Sequence, residues 1–277
     1  QKGIKVKLLI DWWENQATDK CLNKGMKESY ESLKIKGYLG YVPRNMELQL
    51  VPTKKEKKNK LVPHVINFIG KKFLEDSSYK SEEFDYDFAP AFRFNHIYDK
   101  EIKNMKSDIY NVIIALPYLE DESINIINLI NDIKIDDEDD IEFKIKFHPI
   151  SNNKYIIDNL KNKLNENIKT VDVNEKIFDT ADLIISSVSS ICLESIALGI
   201  PAIIVKQQYG IEYNPIPKKI SSYFYKFCDN EKEIYESIKY FKNILNFKIN
   251  KLEEINEIKN DYFQIPNRVE IKKLLNM

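Results

Sequence analysis

Short apolar runs alternate with longer amphipathic stretches along most of the chain, the pattern of strands exchanging with helices. Residues 5–11 form the first apolar run. Residues 15–30 place Ala17, Cys21, Leu22 and Met26 at helical spacing and predict a helix. Strands are expected at 34–42, which contains Gly37 and Gly40, and at 62–69, closed by Gly70. The residues between them, 43–60, read as a loop that carries the basic run Lys54-Lys55-Glu56-Lys57-Lys58. Residues 79–87 are acidic and aromatic, and Ala89-Pro90-Ala91-Phe92-Arg93-Phe94 follows.

Polar residues at 99–108 mark a boundary, and beyond it the alternation becomes regular. Strands are expected at 111–117, 142–147, 168–173, 183–186 and 202–206. Helices are expected between them at 122–133, 155–164, 175–181 and 190–198, with an acidic loop at 136–140 and a strongly helical tail from 231. This spacing predicts an α/β protein built on parallel sheets. A partial Rossmann-like domain, with room for three strands, would occupy residues 1–100. A doubly wound Rossmann-like domain with a helical tail would occupy 101–277.

Composition narrows the function. The 277 residues include 42 Lys and Arg against 43 Asp and Glu, a formal net charge of -1. That balance argues against a dedicated nucleic-acid binder, which shows a clearly basic face. Hydrophobic residues make up 43% and aromatics 12%, enough for packed cores. The most apolar stretch, residues 196–205, is broken by Gly199 and Pro201 and falls well short of the roughly 20 residues of a membrane span. The chain opens on Gln1 directly ahead of a strand-like run, shows no secretory signal, and is read as the tail of a longer protein. Cys21, Cys192 and Cys228 form no CxxC pair and no Cys/His cluster, so neither disulfide framework nor structural zinc is expected. A reducing, cytoplasmic setting fits. Arginine occurs only at 44, 93 and 268, in a background of Lys, Asn and Ile.

Two strand ends carry unusual chemistry. In an open parallel sheet, ligands bind beyond the carboxyl ends of the strands. Phe147-His148-Pro149 closes one expected strand, and His148 there is suited to hydrogen-bond a phosphate; a loop histidine without a ligand is the plainer alternative. Ser186-Ser187-Val188-Ser189-Ser190 runs from a buried strand into a helix, bracketing an N-terminus whose amide groups and dipole favour an anion. One serine suffices to cap that helix, and the others are then unexplained. Gly199-Ile200-Pro201 is a helix stop.

Together, Phe147-His148-Pro149, the run from Ala181 to Ser190, Glu194 and Gly199-Ile200-Pro201 resemble the nucleotide-binding half of GT-B glycosyltransferases. They are similar in particular to the HP and serine motifs of bacterial transferases that use CMP-activated sialic acid or Kdo. A comparable arrangement occurs in teichoic-acid polymerases using CDP-glycerol. Trp12-Trp13-Glu14-Asn15-Gln16, Gly37-Tyr38-Leu39-Gly40-Tyr41 and the segment from Ala89 to Phe94 resemble bacterial surface-carbohydrate (O-antigen or capsule) biosynthesis proteins.

The resemblance implies two Rossmann-like domains facing across a cleft, with the nucleotide sugar on the C-terminal one and the acceptor on the N-terminal one. Carried over by position, His148 with Pro149, Ser187, Ser189 and Ser190 would hold the donor phosphate and Glu194 the ribose. Neither metal nor cofactor is expected, because helix dipole and hydrogen bonds can neutralise the leaving phosphate. Asp85-Tyr86-Asp87 has DxD spacing but follows no clear strand and makes a poor metal site. The base of an inverting transferase would come from the first domain. Glu14 is the leading candidate and Asp11 and His96 follow, although Trp12 and Trp13 serve equally as core or interface anchors with Glu14 starting the helix. Arg93, His96 and Asn15 are candidate substrate contacts, and Arg93 is equally suited to a salt bridge with the acidic stretch before it. A saccharide or lipid-linked acceptor is implied, and with a lipid-linked one peripheral contact at the inner face of the cytoplasmic membrane through the Lys54–Lys58 run. Rival readings are a CDP-glycerol or CDP-ribitol phosphotransferase, a UDP-sugar transferase or epimerase, and a non-catalytic nucleotide-binding subunit.

Overall fold

The computed structural model describes residues 5–44, 47–76, 81–99, 109–134, 140–172, 175–208, 214–244 and 247–277. The chain divides into two compact units, Gln1–Asp99 together with Glu257–Met277, and Lys100–Asn256.

The first unit is built on β1 (Leu8–Trp12), α1 (Ala17–Ser29), β2 (Lys34–Leu39), α2 (Lys54–Lys58), β3 (Val65–Phe68), α3 (Lys71–Asp76) and β4 (Asp85–Phe88). Its four strands pair in parallel in the order β1-β2-β3-β4. The sequence allowed three. The fourth, Asp-Tyr-Asp-Phe, lies at the sheet edge with Asp85 and Asp87 exposed and Tyr86 and Phe88 half-buried. Outward aspartates on an edge strand discourage further pairing, and they mask the strand in a hydropathy pattern. The stretch 43–60 is not all loop: it holds a 3₁₀ turn at Leu48–Leu50 and α2, capped by Thr53 in a reciprocal capping box with Glu56. Trp13, Ile35, Leu39, Ile66, Phe68 and Phe94 fill the core.

The second unit carries β5 (Tyr110–Ala115), α4 (Glu120–Asn131), β6 (Ile141–Lys146), α5 (Asn153–Asp158), β7 (Ile168–Thr170), β8 (Leu183–Ser186), α6 (Ser190–Ala197), β9 (Ala202–Val205), β10 (Tyr225–Cys228), α7 (Glu231–Asn243) and α8 (Phe247–Asn250). Six strands pair in parallel in the order β10-β9-β8-β5-β6-β7. Val112–Ala115 of β5, Leu183–Ile185 of β8 and all of β9 are Ile, Val, Leu and Ala, buried on both faces as central parallel strands must be. The boundary expected at 99–108 and the acidic loop at 136–140 fall, apart from Asp99 and Asp140, outside the described residues.

Within α9 (Leu252–Tyr262) the chain passes from the second unit to the first, and α10 (Arg268–Leu275) ends it. The sequence pattern assigns the whole helical tail to the second half, but residues 257–277 pack with the first. The contacts are specific. Gln264 donates to Ile69 O at 2.7 Å and Ala91 donates to Gln264 O at 2.8 Å. Gly70 has no side chain because a Cβ there would lie 2.3 Å from Tyr262 O. Lys36, buried in the middle of β2, donates to the carbonyls of Leu274 (2.7 Å) and Lys273 (3.2 Å) at the end of α10. A cation at a helix C-terminus meets both the orphan carbonyls and the negative end of the dipole. Burial, with Lys34 nearby, lowers the Lys36 pKa.

Candidate functional site

In the second unit the sheet topology selects the site. Strand order reverses between β5 and β8, the switch point at which doubly wound sheets open a ligand crevice beyond their carboxyl ends. The chain leaves β5 through Leu116-Pro117-Tyr118-Leu119 into α4, and leaves β8 through Ser187-Val188-Ser189 into α6. The two exits are tied together: Ser186 Oγ donates to Ala115 O at 2.7 Å. Ser123 Oγ donates to Pro117 O at 3.0 Å and pins the first exit to α4.

The four serines have distinct tasks. Ser186 bridges the strands. Ser189 is the N-cap of α6, its hydroxyl accepting from Ile191 N. Ser190 donates to Glu194 Oε1 at 2.9 Å, one turn further along the helix. Ser187 is buried, and its carbonyl accepts Ser189 N–H at 2.9 Å. This turn winds an amide-lined loop into a helix N-terminus, a local geometry suited to anions. Cys192 lies in the core behind it, where burial and then Glu194 raise the thiol pKa well above its usual range.

His148 follows β6, the other neighbour of β5. It is half-buried, with Pro149 exposed. Ile150 N–H approaches His148 Nδ1 at 3.4 Å, which favours the tautomer protonated on Nε2. The exposed ring of Tyr118 stands edge-on to the imidazole with centroids 6.3 Å apart. Tyr118 has no helical or strand periodicity to betray it; its signal is its place, directly after the central strand. A second residue absent from the sequence reading is Glu122, in the first turn of α4. It is buried, Oε2 has no hydrogen-bond partner, and burial followed by the charge of Asp121 raises its pKa.

In the first unit the β1–α1 turn gathers the expected residues. Trp12 and Trp13 alternate across the strand end, Trp12 46% exposed and Trp13 1%. Glu14 is held by its neighbours: Trp12 Nε1 donates to Oε1 and Gln16 Nε2 donates to Oε2, both at 2.8 Å. Asn15 is buried with φ 58°, the left-handed region that Asn enters more readily than most residues. Its Nδ2 donates to Gln49 O at 2.7 Å, fixing the turn from behind. Asp11 is buried beside α1, accepting from Asn23 Nδ2 at 3.0 Å; desolvation, reinforced by Asp19, pushes its carboxyl up to about 6. Burial keeps Asp11 from reaching a ligand, so Glu14 is the half-exposed acid at this strand end.

Arg93 and His96 lie on the 3₁₀ segment Phe92–Ile97, Arg93 exposed and His96 half-buried. The third histidine is structural: His64 Nδ1 accepts from Ile35 N at 2.9 Å, and burial with neighbouring lysines lowers its pKa. The basic run forms α2, where Lys54 pairs with Glu83, Lys57 reaches Glu83 O and Glu56 holds Lys20 at 2.6 Å. Among the described residues no cluster of His, Cys, Asp or Glu is large enough to hold a metal ion, and no helix is long and apolar enough to cross a membrane.

Two parallel-sheet α/β units, the second with a central switch point, define a GT-B-type fold, and solved structures of that type match the chain over nearly its whole length. UDP-GlcNAc 2-epimerase from Neisseria meningitidis, bound to UDP-GlcNAc, is 14% identical with a TM-score of 0.56, over 98% of this chain and 76% of that one. The wall teichoic acid polymerase TagF is 14% identical with a TM-score of 0.54, over 98% and 72%. MurG from Acinetobacter baumannii is 12% identical with a TM-score of 0.51, over 98% and 74%. No protein-family model and no curated protein matches the sequence.

Proposed function

We propose that the chain is a glycosyltransferase that takes a sugar from a nucleotide-activated donor, of the CMP-sugar kind, to an acceptor in surface-polysaccharide assembly. The observation that carries this reading is the β8–α6 turn at the switch point, with four serines around a helix N-terminus and His148 at the end of β6. His148, Pro149, Ser187, Ser189 and Ser190 surround the donor phosphate in this reading, Ser187 through its backbone because its side chain is buried. Glu194, oriented by Ser190, receives a ribose hydroxyl.

On the acceptor side Glu14 is the base. It takes the proton of the attacking hydroxyl as that oxygen bonds to the anomeric carbon and the carbon–oxygen bond to the nucleotide breaks, with inversion. The donor edge takes up the charge left on the departing phosphate, and no metal is needed. Arg93 and His96 flank the acceptor, while Asn15, buried with its amide on Gln49 O, holds the turn that presents Glu14. For a lipid-linked acceptor, the exposed Lys55 and Lys58 of α2 add contact with an anionic membrane surface at its cytoplasmic face.

A UDP-sugar reading, as transferase or epimerase, has its own support in the UDP-GlcNAc-bound neighbour. A donor panel separates the two. CMP-sialic acid, CMP-Kdo, CDP-glycerol and UDP-GlcNAc are each incubated with the protein and an oligosaccharide mixture, with chelator present, and nucleotide release is followed. CMP release from CMP-sialic acid or CMP-Kdo supports the proposal, whereas CMP release from CDP-glycerol alone marks a phosphoglycerol transferase and contradicts it. UDP release or epimerised UDP-GlcNAc moves the assignment to the second reading, and no turnover of any donor contradicts an enzymatic role.

A further inference from the structure

At the carboxyl end of the first sheet three aromatic rings stand in line. Trp12 meets Tyr38 edge-on with centroids 5.8 Å apart, and Tyr38 meets Phe92 at 5.8 Å with a 55° tilt. The middle ring is fixed: Tyr38 is buried, its hydroxyl donates to Pro90 O at 2.8 Å and accepts from Phe92 N at 3.2 Å. The outer two are open, Trp12 at 46% and Phe92 at 43% exposure.

The indole is held in place rather than merely left outside. Its six-membered ring lies against bare backbone at Gly40, where a Cβ would fall 2.3 Å from Cζ3 and 2.5 Å from Cη2. Its Nε1 is tied to Glu14, which is tied in turn to Gln16. A large ring backed by glycine, anchored at its nitrogen and open outward has already lost the freedom that binding would otherwise cost. Beside it lie a carboxylate and a primary amide, acceptors and donors suited to hydroxyl groups.

We infer that Trp12 and Phe92, with Glu14 and Gln16, form a stacking platform for a neutral pyranose. The C–H face of the sugar lies on the indole, and its rim hydroxyls meet the Glu14 carboxylate and the Gln16 amide. The polar edge decides the occupant. A lipid chain or an apolar peptide would strip water from a charged carboxylate and offer its remaining lone pairs no donor, and an anionic sugar would be repelled by it. That this sugar is the acceptor rests on the transferase reading; the platform itself does not.

The two tryptophans make the test direct, because Trp13 is 1% exposed and an external ligand perturbs Trp12. The full chain is titrated with methyl β-galactoside, methyl β-glucoside and lactose, following tryptophan emission and saturation-transfer NMR. A saturable response is expected, with a Kd on the order of millimolar for a single stacked ring. Trp12→Ala abolishes it. Gly40→Ala, which displaces the ring while keeping it, weakens binding about tenfold. No response to any glycoside, or one that survives both variants, overturns the platform. So does an emission shift with phosphatidylglycerol vesicles, in place of the sugars, that persists when Lys55→Glu and Lys58→Glu remove the basic face of α2. Nucleotide binding by the same preparation keeps the two ideas apart: glycoside binding without it leaves the platform standing and removes the transferase reading, and the reverse removes the platform alone.

Discussion

The two units use one architecture, parallel strands with helical crossovers, but locate their chemistry by different means. In the second unit topology does the selecting: the sheet reverses direction between β5 and β8, and the serine turn opens at that reversal. The first sheet adds its strands in one direction, β1 to β4, and has no such reversal among the described residues. Its chemistry is set by side chains at one turn, where Trp12 and Gln16 both donate to Glu14 and Asn15 is tied to Gln49 O. The polar interiors differ too. Behind the serine turn lie the hydroxyls of Ser186 and Ser195, whereas behind the β1–α1 turn lie Asp11, Asp19 and Asn23.

The largest stability effect is expected at Lys36. Lys36→Met keeps the aliphatic stem but leaves the carbonyls of Lys273 and Leu274, in the last turn of α10, without their charged donor, at a cost of about 2 kcal/mol. Hydrogen exchange should show α10 losing protection while β5 and β8 keep theirs; uniform loss would mean that residues 257–277 are not held by this contact.

Asp11 comes next, with the opposite sign. Burial pushes its carboxyl up to about 6 in the folded protein from an ordinary 3.8, so between these values the native state holds a proton that the unfolded chain has released. The contribution of Asp11 to stability is therefore fully present below about pH 4 and is lost as pH rises through 6. Asp11→Asn removes that fall: it should stabilise the protein at pH 8 by about 1–2 kcal/mol, discounting for solvent screening, and change little at pH 4. A destabilised variant at pH 8 would contradict the desolvation account. Glu122→Gln tests the buried acid of the second unit. Its pKa is raised by the same cause, so the melting temperature should rise at neutral pH, by less than for Asp11→Asn, with nucleotide binding unchanged. A fall in melting temperature would show that the charged carboxylate has a partner.

Much of the second unit was readable because its strands are short runs of β-branched residues separated by helical spacing. The serine turn and the HP pair fall at strand ends on that pattern; the switch point does not follow from it, because strand order is set by pairing between strands far apart in sequence. β10 was not readable: Tyr-Lys-Phe-Cys is four residues long with a lysine inside, and only pairing with β9 makes it a strand. β4 was hidden by its two edge aspartates. The helix α2 is a different case, since Thr53 and Glu56 spell out a capping box that the lysine run obscured. The return of residues 257–277 to the first unit depends on contacts more than 160 positions apart in sequence, such as Tyr98 with Phe263, which no local pattern encodes. Among site residues, the Trp12–Trp13 pair shows the limit: alternation says one ring faces in and one out, and Gly40 and Tyr38 decide which.

The central claim is that the serine turn and His148 bind the nucleotide of an activated sugar. Its most direct test is thermal shift and calorimetry with CMP, CDP, UMP, UDP, GDP and ADP, on the parent and on His148→Ala. A ligand that binds the native state must raise the melting temperature by mass action. The account predicts selective stabilisation by CMP that is lost in His148→Ala. Absence of a shift with every nucleotide would contradict it.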